Sequence, residues 1–537
     1  MSYGLSPTLP PRNVASGAKP VPMSRRCASR RGLFVSGAAG SWIRRWLDTT
    51  RSRTWSATSW VVASVVFASL TLILGGPSQA DSSQSVYSAL LVAHGDVSCA
   101  YPPGAFSHIG RFSLTFASPL YTLVSAFGAW VLRVGSGTPF PSASELSVKC
   151  SHAMTSVANW TASGNNLVVM LRIGFVSWLF LASGVIALMR ASRQRRDGWE
   201  ASVLLAVACS LPVVACLESF FHPEDLMAMG LILWAMASLV RGRWLVAGAF
   251  VALGILTQLF VVLVAVPLLF VLPASRLWRF ISGSVAATMV VVGPLAIATS
   301  GRVLRAVLFG TSRAGEQHVT GAGGTVVFSA GLHGISLFFL SRVAPLAVAT
   351  AVGWYSWRKW GAMLCEPTIL VSLVGTCLAI RLVFEVNAFN YYYMASVVAL
   401  LLLDALRGRW RGETFALIWL TTLAYSPVAW GFLWRGNLEG PTLRALLPYL
   451  VSVPVLFLLA ASIYQRHVKW YLLIWQAMVF IAFIRFPLPI NHFRPVIPSW
   501  VWQLLLVWPL VYWFSEPLRR SDLQSVPRVA RLTVNHD

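Results

Sequence analysis

The chain has 537 residues, of which 56% are hydrophobic and only 11% charged, with a mean hydropathy of +0.67. Those values exclude an ordinary soluble domain. The formal net charge of +24 would suggest nucleic acid for a soluble chain, but the basic residues fall mostly between apolar runs, as cytoplasmic loops of a membrane protein do.

Residues 1–55 are rich in Ser, Pro, Gly and Arg and predict a disordered basic tail. The first apolar run starts too late for a cleaved signal peptide. Arg44, Arg45, Arg51 and Arg53 predict a tail held in the cytoplasm. Residues 56–516 then read as one transmembrane region and 517–537 as a cytoplasmic tail. The first span is expected at 60–74, followed by a long outer loop over 81–166. The next strong run, 168–189, ends on Arg190, Arg193, Arg195 and Arg196, which fixes that end inside. A further apolar stretch at 117–134 is therefore read as an interfacial or re-entrant helix. The alternative is a true span and a breach of the charge rule.

Further spans are expected at 201–216, 226–240, 245–256, 259–272 and 281–298. A second outer loop, 300–334, precedes spans at 343–357, 368–384, 394–406, 415–434, 446–464, 471–486 and 501–514. The expected fold is an all-α polytopic transmembrane helical bundle of about 14 spans, both termini inside. The chain is placed as a multi-pass protein of the plasma membrane, with its active site on the extracytoplasmic face.

Seven cysteines show no CxxC pair, so a zinc or redox motif is not expected. Cys209, Cys216 and Cys377 fall in apolar runs and read as packing residues. Cys99 and Cys150 share the first outer loop, where a disulfide and two free thiols are both open readings.

Polar residues gather on the expected outer side. The first loop carries Asp81, Asp96, Tyr101 and His108; a short loop reads Phe221-His222-Pro223-Glu224-Asp225; the second long loop holds Arg313, Glu316 and His318. A later group is Arg381, Glu385, Asn387, Asn390, Tyr391, Tyr392 and Tyr393. A hydroxyl is activated by a carboxylate or imidazole base. A phosphate leaving group needs cations or donors around it. One face supplies both. Each element also has a plainer reading. Asp81-Ser82-Ser83 resembles a helix cap, Glu224 and Asp225 suit a helix N-terminus, and Tyr391–Tyr393 suits an interfacial aromatic belt. Arg313 and His318 can simply be solvated.

Asp81, Tyr87, Gly95 and Tyr101-Pro102-Pro103 together resemble integral membrane glycosyltransferases of the GT-C superfamily. Within it they look like glycosyltransferase family 87, which includes polyprenyl-phosphomannose-dependent mannosyltransferases. His222-Pro223-Glu224-Asp225-Leu226, Gly230, Arg241-Gly242-Arg243-Trp244, Ala247-Gly248 and Leu253-Gly254-Ile255-Leu256-Thr257 are similar to a helix pair of that family. The tyrosine-rich run at 387–393 is a third match, and the resemblance spans about 60–406. One departure is Gln258, where relatives often have lysine, which puts any role carried by that lysine in doubt.

The resemblance implies an inverting transfer of mannose or a similar sugar. The donor is a polyprenyl-phosphate sugar and the acceptor a glycan or glycolipid hydroxyl. It implies Asp81 as the base. Asp96, Tyr101, His222, Glu224, Asp225 and Tyr391 are expected to shape the site or bind sugar hydroxyls, and Arg313, His318 and Arg381 to meet the donor phosphate. No cofactor is expected, although some members of the superfamily use a divalent metal, and no nucleic acid is expected as a partner. The rivals are a lipid or solute transporter and a silent scaffold of the same fold. A transporter usually shows related halves and broken helices near midplane. No duplication is visible in the sequence, which favours the enzyme.

Overall fold

The computed structural model describes residues 58–72, 89–93, 95, 97–101, 118–136, 174–192, 199–218, 221–304, 336, 339–385, 390–412, 414–415, 418 and 499–519. All of them fall in one compact unit, Ser36–Arg519. The described structure is all-helical, without strands. In chain order the principal helices are α1 (Thr58–Leu72), α2 (Pro119–Ser136), α3 (Phe175–Ala191), α4 (Trp199–Ala208), α5 (Leu211–Glu218), α6 (Pro223–Val240) and α7 (Trp244–Ile255). Then come α8 (Val262–Leu269), α9 (Ala274–Ala298), α10 (Ala344–Trp360), α11 (Pro367–Phe384), α12 (Met394–Leu406) and α13 (Ser499–Arg519).

Three of these, α6, α9 and α11, are long and apolar enough to cross a membrane. Most of α6 and α11 is buried within the bundle. By contrast α9 turns Trp278, Val285, Met289, Val290 and Ile297 outward. A helix that is apolar all round and buried belongs at the bundle centre, whereas an apolar outward stripe suits a lipid-facing edge. The expected spans at 415–434, 446–464 and 471–486 lie outside the described residues, and so does the count of about 14. The helix expected at 117–134 forms as α2; the N–H of Leu120 donates to the carbonyl of Leu256 at 3.2 Å, tying its start to the end of α7.

One expected span is broken. The 201–216 run forms α4 and α5, bent by 55° at Cys209 and Ser210. Pro212 explains it: proline has no N–H to give the carbonyl of Ala208, and its ring crowds that carbonyl. The Val213 amide turns to Ser210 O at 3.0 Å, and the Val214 amide makes an ordinary helical bond to the same carbonyl at 3.0 Å.

Two helices stop on the same tetrapeptide. Arg241-Gly242-Arg243-Trp244 ends α6 and Arg407-Gly408-Arg409-Trp410 ends α12. Gly242 has φ +70° and Gly408 φ +71°, a left-handed conformation that glycine adopts without Cβ strain. The Arg243 amide reaches Ser238 O at 2.8 Å, and the Arg409 amide reaches Asp404 O at 3.1 Å. Both are six-to-one bonds that close a Schellman stop.

The face of α6 lies against α3, where the chains cross at Gly184 and Gly230. A Cβ on Gly230 would run into the backbone of Phe180, and one on Gly184 into Gly230 O. Gly230→Leu is therefore expected to lower stability by about 1–3 kcal/mol, read as a reduced unfolding temperature in detergent. An unchanged temperature would show that the crossing relaxes freely. On the other side of α3, Trp178 stacks on Phe67 of α1 at 4.4 Å and donates Nε1–H to Ser64 Oγ at 2.9 Å.

Candidate functional site

The site is built where α6 begins. Phe221 is buried with φ +51°, an unusual conformation for a bulky residue that costs on the order of 1–3 kcal/mol. That turn sets His222 at the N-cap, with its amide on Cys216 O at 2.6 Å. Pro223 at the first helical position needs no hydrogen-bond partner, and Glu224 and Asp225 sit in the first turn, where the helix dipole favours acids.

His222 Nδ1 lies 2.8 Å from Glu224 Oε1. A carboxylate on one imidazole nitrogen fixes the ring's tautomer and orientation. The ring stacks on Tyr391 with centroids 4.5 Å apart, and Tyr391 meets Tyr392 edge-on at 4.5 Å. Arg381, near the end of α11, lies over the Tyr392 ring at 5.2 Å and the Phe260 ring at 4.5 Å. Its Nε donates to Glu385 Oε2 at 3.0 Å. Asp225, only 2% exposed, feels the Arg381 charge and is hydrogen-bonded by Gln258. The Gln258 oxygen already accepts from the Leu259 amide, which leaves its NH₂ for the carboxylate. Arg342 reaches the other Glu385 oxygen at 3.6 Å.

The arrangement is asymmetric in its satisfaction. Among the described residues, Glu224 Oε2 and Asp225 Oδ1 are buried with no hydrogen-bond donor. Leaving a buried acceptor unmade costs about 1–3 kcal/mol, so these oxygens suit hydroxyl donors from a ligand.

Several residues expected from the sequence are thus brought together: His222, Glu224, Asp225, Arg381 and Tyr391. Tyr101 joins indirectly. It is buried and hydrogen-bonded to Thr122 of α2; burial pushes its phenol well above the usual range, and the Thr122 bond partly offsets that. The residue before Thr122, Tyr121, packs on Met227 and Leu231 of α6 and feels the charge of Glu224. Asp81, Asp96, Arg313 and His318 lie outside the described residues, as does Cys150, whose pairing with Cys99 the sequence left open.

Three contributors were not among the expected site residues. Glu385 stands four residues after Arg381, a spacing that puts both on one helix face and was a readable signal. Gln258 showed only as a departure from relatives. Arg342 carried no local signal. Among the described residues no group of three His, Cys, Asp or Glu side chains is placed to hold a metal ion.

No protein-family model matches the chain, and no curated protein matches it. The functional reading therefore rests on the motifs and on this geometry.

Proposed function

We propose that the chain is an inverting membrane glycosyltransferase that moves mannose or a similar sugar from a polyprenyl-phosphate donor to a glycan or glycolipid hydroxyl on the extracytoplasmic face. The observation that carries this reading is the pair of buried, donorless carboxylate oxygens on Glu224 and Asp225 beside an aromatic wall of Tyr391 and Tyr392. Buried acceptors next to ring faces suit a sugar, which offers hydroxyl donors on its edge and C–H groups on its face. The motif resemblance supplies the rest of the scheme. Asp81 takes the acceptor's proton, the acceptor oxygen attacks the anomeric carbon, and the bond to the phosphate oxygen breaks with its electron pair leaving on the carrier phosphate.

Glu224→Gln and Asp225→Asn together keep shape but replace two acceptors with amides. Transfer by the double variant is expected to fall about tenfold or more, mainly through a raised KM. Transfer by purified protein from a radiolabelled polyprenyl-phosphate sugar checks this. Wild-type KM and kcat in the double variant would remove the sugar from this site.

The orientation is testable separately. In intact cells a membrane-impermeant thiol reagent should label Ser83→Cys and spare Ser192→Cys, in a background lacking the native cysteines. Labelling of Ser192→Cys alone would invert the topology.

The transporter reading keeps one observation of its own, the 55° break between α4 and α5, since transporters bind cargo at broken helices. The polar cluster at the start of α6 favours the enzyme.

A further inference from the structure

The two arginines of the site are not equivalent. Arg381 is enclosed: Glu385 holds its Nε at 3.0 Å, Asp225 attracts it, and the Phe260 and Tyr392 rings cover its guanidinium. Its side chain is 14% exposed. Its guanidinium is thus held between two rings and two carboxylates.

Arg342 is placed differently. It stands on the turn Phe339–Val343 that leads into α10, and its side chain is 38% exposed. Its Nη1 lies 3.6 Å from Glu385 Oε1, beyond the roughly 2.7–2.9 Å of a charge-assisted hydrogen bond. Arg381 holds the other oxygen of that carboxylate, so Glu385 is shared between the two arginines. Arg342 Nε is buried and has no hydrogen-bond partner among the described residues. A buried guanidinium N–H without an acceptor is costly and rare. The helix end adds to this. Arg342 directly precedes Val343, the N-cap of α10, and the positive end of that helix's dipole favours an anion. Glu385 answers the Nη1 side of Arg342 only, and the Nε–H edge is left without an acceptor among the described residues.

We infer that Arg342 is an oxyanion-binding residue of the site, taking a phosphate group through its Nε–H and outer Nη–H, while Arg381 positions Asp225 and Glu385. A planar guanidinium meets two oxygens of a phosphate in parallel, which a lysine ammonium cannot reproduce. The inference deepens the proposed function and rests on it for the source of the phosphate: an isoprenoid phosphate monoester or diester. Free phosphate offers the same chemistry without the tail.

Binding of farnesyl phosphate, farnesol and inorganic phosphate to purified wild type, Arg342→Gln and Arg342→Lys, in detergent, tests it. Farnesyl phosphate affinity is expected to fall about tenfold or more in Arg342→Gln and by less in Arg342→Lys, with farnesol unaffected by either change. Unfolding temperatures near wild type would show both variants folded. An equal Arg342-dependent loss for inorganic phosphate would support the residue and assign it to free phosphate. Wild-type affinity for farnesyl phosphate in Arg342→Gln would overturn the inference, as would failure of both phosphate probes to bind the wild type. The two readings fail separately. Sugar transfer with an unchanged donor KM in Arg342→Gln sinks the arginine alone. Arg342-dependent phosphate binding without any sugar transfer sinks the enzyme alone.

Discussion

Asp404→Ala is expected to lower stability by about 3–5 kcal/mol, the range found when one partner of a buried ion pair is removed. Asp404 is fully buried at the end of α12. Its Oδ1 accepts from Arg411 Nε at 2.6 Å, and its Oδ2 accepts from the Arg411 amide at 3.1 Å and the Thr414 hydroxyl at 2.7 Å. One carboxylate thus anchors the chain just past the second Arg-Gly-Arg-Trp stop. The anchor extends to α13, where Arg407 Nη1 donates to Glu516 Oε2 at 2.7 Å. Without Asp404, Arg411 keeps a 3.9 Å approach to Glu516 and its place over the Trp513 ring, while its Nε, its amide and the Thr414 hydroxyl lose their acceptor. Asp404→Asn should sit between alanine and wild type, because one oxygen survives while the charge does not. Thr414→Val, losing one hydrogen bond, should cost about 1 kcal/mol. Chemical unfolding in detergent reads all three. A wild-type midpoint for Asp404→Ala would mean that this cluster does not hold α12 and α13 together.

Asp81→Asn is expected to reduce sugar transfer about 10²–10⁴-fold, the usual effect of losing a general base. The amide keeps size and shape but cannot take the acceptor proton. Expression, membrane insertion and donor binding should be retained, so the loss should appear in kcat and leave donor affinity alone. The assignment rests on the first-loop motif, an acid directly after the first span followed by Tyr87 and Tyr101-Pro102-Pro103. The structure ties Tyr101, through Thr122 and Tyr121, to the α6 start where Glu224 and Asp225 lie. Transfer at the wild-type rate by Asp81→Asn would move the base elsewhere, with Asp96 and Glu224 the next residues to substitute.

The helices were legible in the sequence because apolar runs and arginine clusters mark them directly. The run expected at 394–406 forms the helix α12 to the residue, and the run expected at 368–384 forms a helix that starts one residue early, at Pro367. Proline and the helix stops were less well read. Pro212 sits inside an apolar run that composition alone joins into one span, yet its missing N–H breaks that run in two. The identical stops at Gly242 and Gly408 are a backbone signal that hydropathy does not weigh.

The site was half legible. His222, Glu224 and Asp225 are adjacent in sequence, so their meeting needed no fold. Arg381 and Tyr391 were singled out as polar residues in an apolar region, but their meeting with His222 depends on α11 and α12 packing beside α5 and α6. Arg342 and Asp404 were passed over for the same reason. Arg342 is a lone charge just before an apolar run and Asp404 sits inside one, and only packing shows that the first has a donor to spare and the second is saturated.

The central claim is that a bond to sugar breaks and forms here. Its most direct test is purified wild-type protein in liposomes holding a polyprenyl-phosphate sugar labelled in the sugar, with a glycolipid acceptor on the same face. A glycosyltransferase leaves label on the acceptor with the anomeric configuration inverted and free polyprenyl phosphate in equal amount, and Asp81→Asn gives neither product. Label that crosses the bilayer with its sugar–phosphate bond intact, and no glycosylated acceptor, would contradict it and make the protein a transporter of that lipid.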